Sequence, residues 1–141
     1  MDLEALIASH VARIHEAVPE GETSVSGSTL LWPDTGHDVD LVVLVPDVAD
    51  AADRLRLVYP PLYEEDWRDD WAAFRTSGPP QVDIVLTRRG SKGDAHHRRA
   101  WELILADDTL RAEYERLSAV GMDSAAKKAF FERVVRMLAD A

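Results

Sequence analysis

The chain has 141 residues, with 16 lysines and arginines against 26 aspartates and glutamates, a formal charge of −10. That length suits one compact domain with a core of its own, and 46% hydrophobic residues argues against wholesale disorder. No apolar run reaches the ~20 residues of a membrane helix, and the absence of cysteine excludes disulfides, thiolate metal sites and a thiol nucleophile.

The opening MDLEALIASH carries acids where an export signal would carry lysine or arginine, which predicts a soluble, cytoplasmic protein. Residues 3–18 place Leu3, Leu6, Ile7, His10, Val11, Ile14 and Val18 at three- and four-residue steps, an amphipathic helix ended by Pro19 and Gly21. A short strand over 23–26 runs into Gly27-Ser28. The spacer 29–37 holds Trp32, Pro33 and Gly36, leaving room for one helical turn before Pro33. Residues 39–45, VDLVVLV, form the clearest strand; from Leu41 both faces are apolar, which predicts a central strand covered on two sides.

A short helix over 48–58 is broken by Pro60-Pro61. Residues 71–76, a turn at 77–80 and residues 81–87 read as strand, turn and buried strand. Three helices follow over 96–105, 110–120 and 124–138. The predicted class is α+β (mixed α/β): one domain over 1–141, with a core-like part at 1–90 and a helical part at 91–141.

Two acids interrupt the first buried strand. Asp38 and Asp40, at i and i+2, leave the same face with Cα atoms ~7 Å apart, where their mutual repulsion calls for a cation. Asp83 lies among Val82, Ile84, Val85 and Leu86 with no evident local partner. Acids in two core strands suit a divalent-ion site, because hard cations such as Mg²⁺ take carboxylate oxygens and a metal pair can clamp a phosphoryl displacement. A glycine such as Gly27 lets backbone N–H groups approach an anion, and Ser28 offers a hydroxyl to a phosphate oxygen. A plainer role also suits each: a strand's exposed start for Asp38 and Asp40, a surface position for Asp83, an ordinary loop for Gly27-Ser28.

Gly27-Ser28, nine intervening residues, Asp38-Val39-Asp40-Leu41 and a distant strand bearing Asp83 resemble the signature of the DNA polymerase β-like nucleotidyltransferase superfamily. The second half is similar to the GrpB-like branch of that superfamily. Its elements are Gly27-Ser28-Thr29, a histidine opening a helix (His97), Leu110, Tyr114 and Leu117 on a second helix, and Ala126, Lys127 and Phe130 on a third. This chain departs from that branch at Val82-Asp83-Ile84, where His-x-His is usual, and its spacer lacks the basic residue of many minimal nucleotidyltransferases.

The resemblance implies a nucleotidyltransferase fold with Mg²⁺ or Mn²⁺ held by Asp38, Asp40 and Asp83. Gly27 and Ser28 would hold the β- and γ-phosphates, and Asp83 would also act as general base. A nucleoside monophosphate would pass from an NTP to a hydroxyl of a small-molecule or protein acceptor, releasing pyrophosphate. The alternative it implies is a non-catalytic member that binds nucleotide or a partner protein, in regulation or in a toxin–antitoxin pair. At −10, a long nucleic-acid acceptor is disfavoured. Residues 88–99 carry Arg88, Arg89, Lys92, Arg98 and Arg99 just after the Asp83 strand, so Arg88 is expected at one rim of the site. Lys127 is expected to contact phosphate, and His97 to bond a phosphate or fix its helix start. Trp67, Trp71 and Trp101 could stack on a base, and are expected rather to pack the core.

Overall fold

The computed structural model describes residues 2–31, 38–121 and 123–139. The spacer's Trp32, Pro33 and Gly36 lie outside the described residues. Helix α1, Leu3–Ala17, is opened by Asp2, whose carboxylate accepts from the Ala5 amide at 2.7 Å. Asp47 caps α2 (Val48–Leu55), Asp107 caps α5 (Asp108–Ala119) and Asp123 caps α6 (Ser124–Ala139) in the same way. A carboxylate there answers an unpaired N–H and the positive end of the helix dipole. These four of the chain's 26 acids therefore start helices.

Strands β1 (Glu22–Ser26), β2 (Val39–Leu44), β3 (Pro61–Leu62), β4 (Trp71–Thr76) and β5 (Val82–Thr87) form one sheet in the order β1-β2-β5-β4-β3. β2 and β5 run parallel, and every other neighbouring pair is antiparallel. The mixed sheet with its helices is the α+β architecture expected from the sequence. Strand β3 was not foreseen, since two residues offer no periodicity. The helix expected from residue 96 instead begins as α3 (Lys92–Asp94), passes through a π-helical turn, Ala95–Arg99, and becomes α4, Ala100–Ala106.

Alternation along the strands sorts the residues onto two faces. Val39, Leu41 and Val43 of β2, Val82, Ile84 and Leu86 of β5, and Ala72 and Phe74 of β4 pack with residues of α1 and α2, all buried. The opposite face carries Asp40, Asp83, Arg75, Ala73 and Trp71. A second apolar cluster, including Trp101, Tyr114, Phe130 and Phe131 from α4, α5 and α6, roofs part of that face. Between this roof and the sheet is a cavity of about 230 Å³.

Candidate active site

The parallel pairing of β2 and β5 sets Asp40 beside Asp83 in register, and the antiparallel pairing with β1 sets Ser26 on the other side of Asp40. Adjacent strands lie about 4.8 Å apart, so two carboxylates from distant parts of the sequence share one wall of the cavity. β1 ends there in a 3₁₀ turn, Gly27–Leu30. Gly27 has φ +70°, a left-handed conformation that glycine adopts without strain. A Cβ at Gly27 would collide with Asp40 Oδ2 and lie 3.0 Å from its Cγ, so the Asp40 carboxylate rests directly on the glycine backbone. Thr29 completes the link by donating its hydroxyl to the Asp38 carbonyl at 3.0 Å. The Gly-Ser turn and the Asp-x-Asp strand are thus one interlocked unit.

The three acids differ in their surroundings. Asp38 is exposed just before β2 and accepts from Gln81 Nε2 at 3.2 Å. Asp40 faces the cavity; burial, then the charge of Asp83, pushes its carboxyl up to about 6, with Asp38 adding and Lys127 and Arg75 opposing. Asp83 is gripped by Arg75, whose Nε donates to Oδ1 at 2.7 Å and Nη2 to Oδ2 at 3.0 Å. The expectation that Asp83 has no local partner is overturned: the β4–β5 hairpin places Arg75 opposite it. On the other side of that guanidinium lies Tyr63, a bulky residue at φ +52°. Such a backbone conformation costs roughly 1–2 kcal/mol and holds Tyr63 on the cavity wall.

The opposite wall supplies Lys127 from α6, His96 and His97 from the π-helical turn, and the rings of Trp101, Tyr114 and Phe131. Lys127 acts on Asp40, more than eighty residues earlier in the sequence, and on both histidines. His97 is held neutral. Burial, then the neighbouring charges of His96, Arg68 and Lys127, lowers its pKa to about 4. Trp71 Nε1 donates to His97 Nε2 at 3.3 Å, which puts the ring proton on Nδ1. The Ser26 hydroxyl donates to the His97 carbonyl, tying the turn to the Gly-Ser strand. In this structure His97 is therefore a neutral ring. Trp71 and Trp101 line the cavity, while Trp67 packs on Phe74 at 5.2 Å.

Arg88 departs from expectation. It follows the C-terminal end of β5, about 16 Å along the strand from Asp83, faces Asp70 at 4.0 Å and lines a different hollow with Glu20, Glu22 and Arg89. Much of the basic loop's charge is matched locally. Arg89 pairs with Glu22, and Arg98 forks the fully buried Asp94 at 2.6 and 2.9 Å. Arg75 and Tyr63 are among the cavity residues that the sequence analysis does not single out.

Among the described residues, no group of three or more His, Asp or Glu is placed to hold a metal ion. Asp38 and Asp40 offer the oxygen donors a hard divalent cation takes, and burial, then the charge of Asp83, disfavours ionised Asp40 without a cation. They fit one such ion. Asp83, with Arg75 on both oxygens, does not fit a second as placed.

No protein-family profile matches the chain, and no curated protein matches it. Among solved structures the chain is similar to terminal uridylyl transferase 4 from Trypanosoma brucei in two forms. With UPU bound, the identity is 21% over 74% of this chain and 39% of that one, with a TM-score of 0.50. With CTP bound, it is 19% over 96% of this chain and 52% of that one, with a TM-score of 0.54. The chain spans about half the length of these neighbours or less. At such identity the likeness defines the fold: a nucleotidyltransferase-like mixed sheet of the polymerase β type, packed by helices. No helix among the described residues is long and apolar enough to cross a membrane.

Proposed function

We propose that this chain is a Mg²⁺-dependent nucleotidyltransferase (Mn²⁺ substituting), built as a single domain over 1–141. It transfers a nucleoside monophosphate from an NTP to a hydroxyl of a small-molecule or protein acceptor and releases pyrophosphate. The observation that carries this reading is the seating of Asp40 on Gly27, with Asp83 beside it and Lys127 across the cavity. The motif elements around His97, Tyr114 and Lys127 support the GrpB-like branch.

Asp38 and Asp40 would hold the ion, which supplies charge neutralisation and alignment of the triphosphate. The backbone at Gly27 and the hydroxyl of Ser28 meet the β- and γ-phosphates, while Lys127 faces them from α6. The acceptor oxygen bonds to the α-phosphorus, the bond from that phosphorus to the α,β-bridging oxygen breaks, and pyrophosphate leaves with its electron pair. Asp83 takes the hydroxyl proton. A carboxylate has about four lone-pair sites, and the Arg75 fork occupies two of them. Positioning and fixed charge account for such catalysis. One observation favours a second reading, a nucleotide-binding module without transfer: the same fork on Asp83.

Thermal unfolding with Mg²⁺ and each of the four NTPs tests the proposal. A ligand at 100 times its Kd stabilises the fold by about 2.7 kcal/mol, a rise of several degrees at this size. Asp40→Asn is expected to abolish that rise and turnover while the unliganded midpoint holds or rises, because a buried carboxylate charge is removed. Transfer activity retained in the variant overturns the assignment. Binding without pyrophosphate release under any acceptor selects the second reading.

A further inference from the structure

We propose that this site works with one divalent ion, the guanidinium of Arg75 standing as a built-in cation where a second ion would otherwise bridge the two strands. The inference rests on the nucleotide-binding reading above and concerns how that site neutralises charge.

A second ion between β2 and β5 would need oxygens from both Asp40 and Asp83. Arg75 already engages each oxygen of Asp83, at 2.7 and 3.0 Å, in the planar two-point geometry that makes guanidinium–carboxylate pairs strong. The grip is not an accident of a loose surface side chain. Arg75 lies opposite Asp83 in the β4–β5 register, its backbone N–H is fixed to the Pro60 carbonyl at 3.1 Å, and Tyr63 flanks the guanidinium from a left-handed backbone. The Arg75 side chain is 35% exposed and lines the cavity, so its charge faces whatever enters.

A divalent ion placed on Asp83 would sit against this fixed positive charge, on oxygens whose negative charge the fork already neutralises. Asp38 and Asp40 carry no comparable fork: Asp38 receives one amide bond from Gln81, and Lys127 acts on Asp40 from across the cavity. The charge balance agrees. Asp38, Asp40 and Asp83 against Arg75 and Lys127 leave the site one charge negative, and one divalent ion turns it positive enough to attract a triphosphate. Arg75 is thus a positioning residue for Asp83 and the source of the second positive charge.

Mn²⁺ binding to the full chain, followed by electron paramagnetic resonance with the α,β-methylene analogues of UTP and CTP present, reads the ion count directly. The wild type is expected to bind one Mn²⁺ per chain and Asp40→Asn none. Arg75→Gln, which frees Asp83, is expected to bind two. Arg75→Lys keeps the charge without the fork and is expected to stay at one. Circular dichroism checks that each variant is folded, and Asp83→Asn, expected to bind one, tests the same point if Arg75→Gln does not fold. Two ions in the wild type, or loss of the single ion in Asp83→Asn, overturns the one-ion inference and leaves the nucleotidyltransferase reading standing. Neither Mn²⁺ nor analogue bound by the wild type overturns both.

Discussion

The two faces of the sheet are built from alternate residues of the same strands, yet they obey different rules. Toward α1 and α2 the strands present Val39, Leu41, Ile84, Leu86 and Phe74, buried with Ile14 and Leu55 into a dry contact. Toward the cavity the intervening positions are Asp40, Asp83 and Arg75, which are polar, partly open and mutually dependent. Stability resides on the first face, and the second draws on it to hold charges where burial disfavours them. The largest expected effect tests that separation. Leu55→Ala empties a fully buried position on α2 and is expected to lower stability by about 2–5 kcal/mol. Mn²⁺ and nucleotide affinity of the folded fraction should stay within a few-fold of wild type. A matching loss of affinity in equilibrium titrations would show that the faces are coupled.

The cavity face should also respond to pH in a way the sealed face cannot. His97 keeps its proton off down to about pH 4 in the folded chain, whereas an unfolded histidine takes one up near 6.5. Between those values the unfolded state binds more protons, so acidification destabilises the fold, by about 3 kcal/mol for this shift. Asp40 acts with the opposite sign. Its carboxyl, pushed up to about 6, takes a proton in the folded state before it would in the unfolded one, and so gains stability as pH falls. The two linkages oppose each other, which makes Asp40→Asn the background in which to see His97. In that background urea unfolding is expected to show stability falling from pH 6.5 toward 4. Adding His97→Gln is expected to remove most of the slope, with the remainder set by His96 and His10, whose pKa values burial also lowers. An unchanged slope would mean that His97 is not buried as a neutral ring.

The sealed face was nearly all legible in the sequence because hydrophobic periodicity encodes it: the strands around Val39, Trp71 and Val82 and the long helices all form where apolar spacing puts them. Asp40 and Asp83 were legible as acids out of place in apolar strands, and Lys127 only through family resemblance. Arg75 was not legible by counting. A turn at 77–80 would pair 76 with 81 and 74 with 83, whereas the five-residue connection 77–81 pairs 76 with 82 and therefore 75 with 83. Arg88 shows the limit of sequence proximity: it directly follows the Asp83 strand, yet five residues of extended chain carry it to the far end, away from the site. Tyr114 and the histidine turn depend on how the helical half folds back over the sheet, and no local pattern specifies that.

The smallest effect in stability gives the sharpest test of the cavity face, because the chain supplies its own control. Gly27 and Gly121 have nearly the same left-handed backbone, φ +70° and φ +76°. An added Cβ meets the Asp40 carboxylate at Gly27 and nothing within 4 Å at Gly121. Alanine at either position incurs roughly 1–2 kcal/mol of backbone strain, offset in part by the lower entropy of the unfolded chain. Both variants are therefore expected to lose about 1 kcal/mol by urea midpoint. They should part company on ligand: Gly121→Ala keeps wild-type affinity for Mn²⁺ and nucleotide, while Gly27→Ala displaces Asp40 and loses at least tenfold. Equal affinities in the two variants would mean that Asp40 can shift off Gly27 without consequence, and the seating of that carboxylate would no longer carry the functional reading.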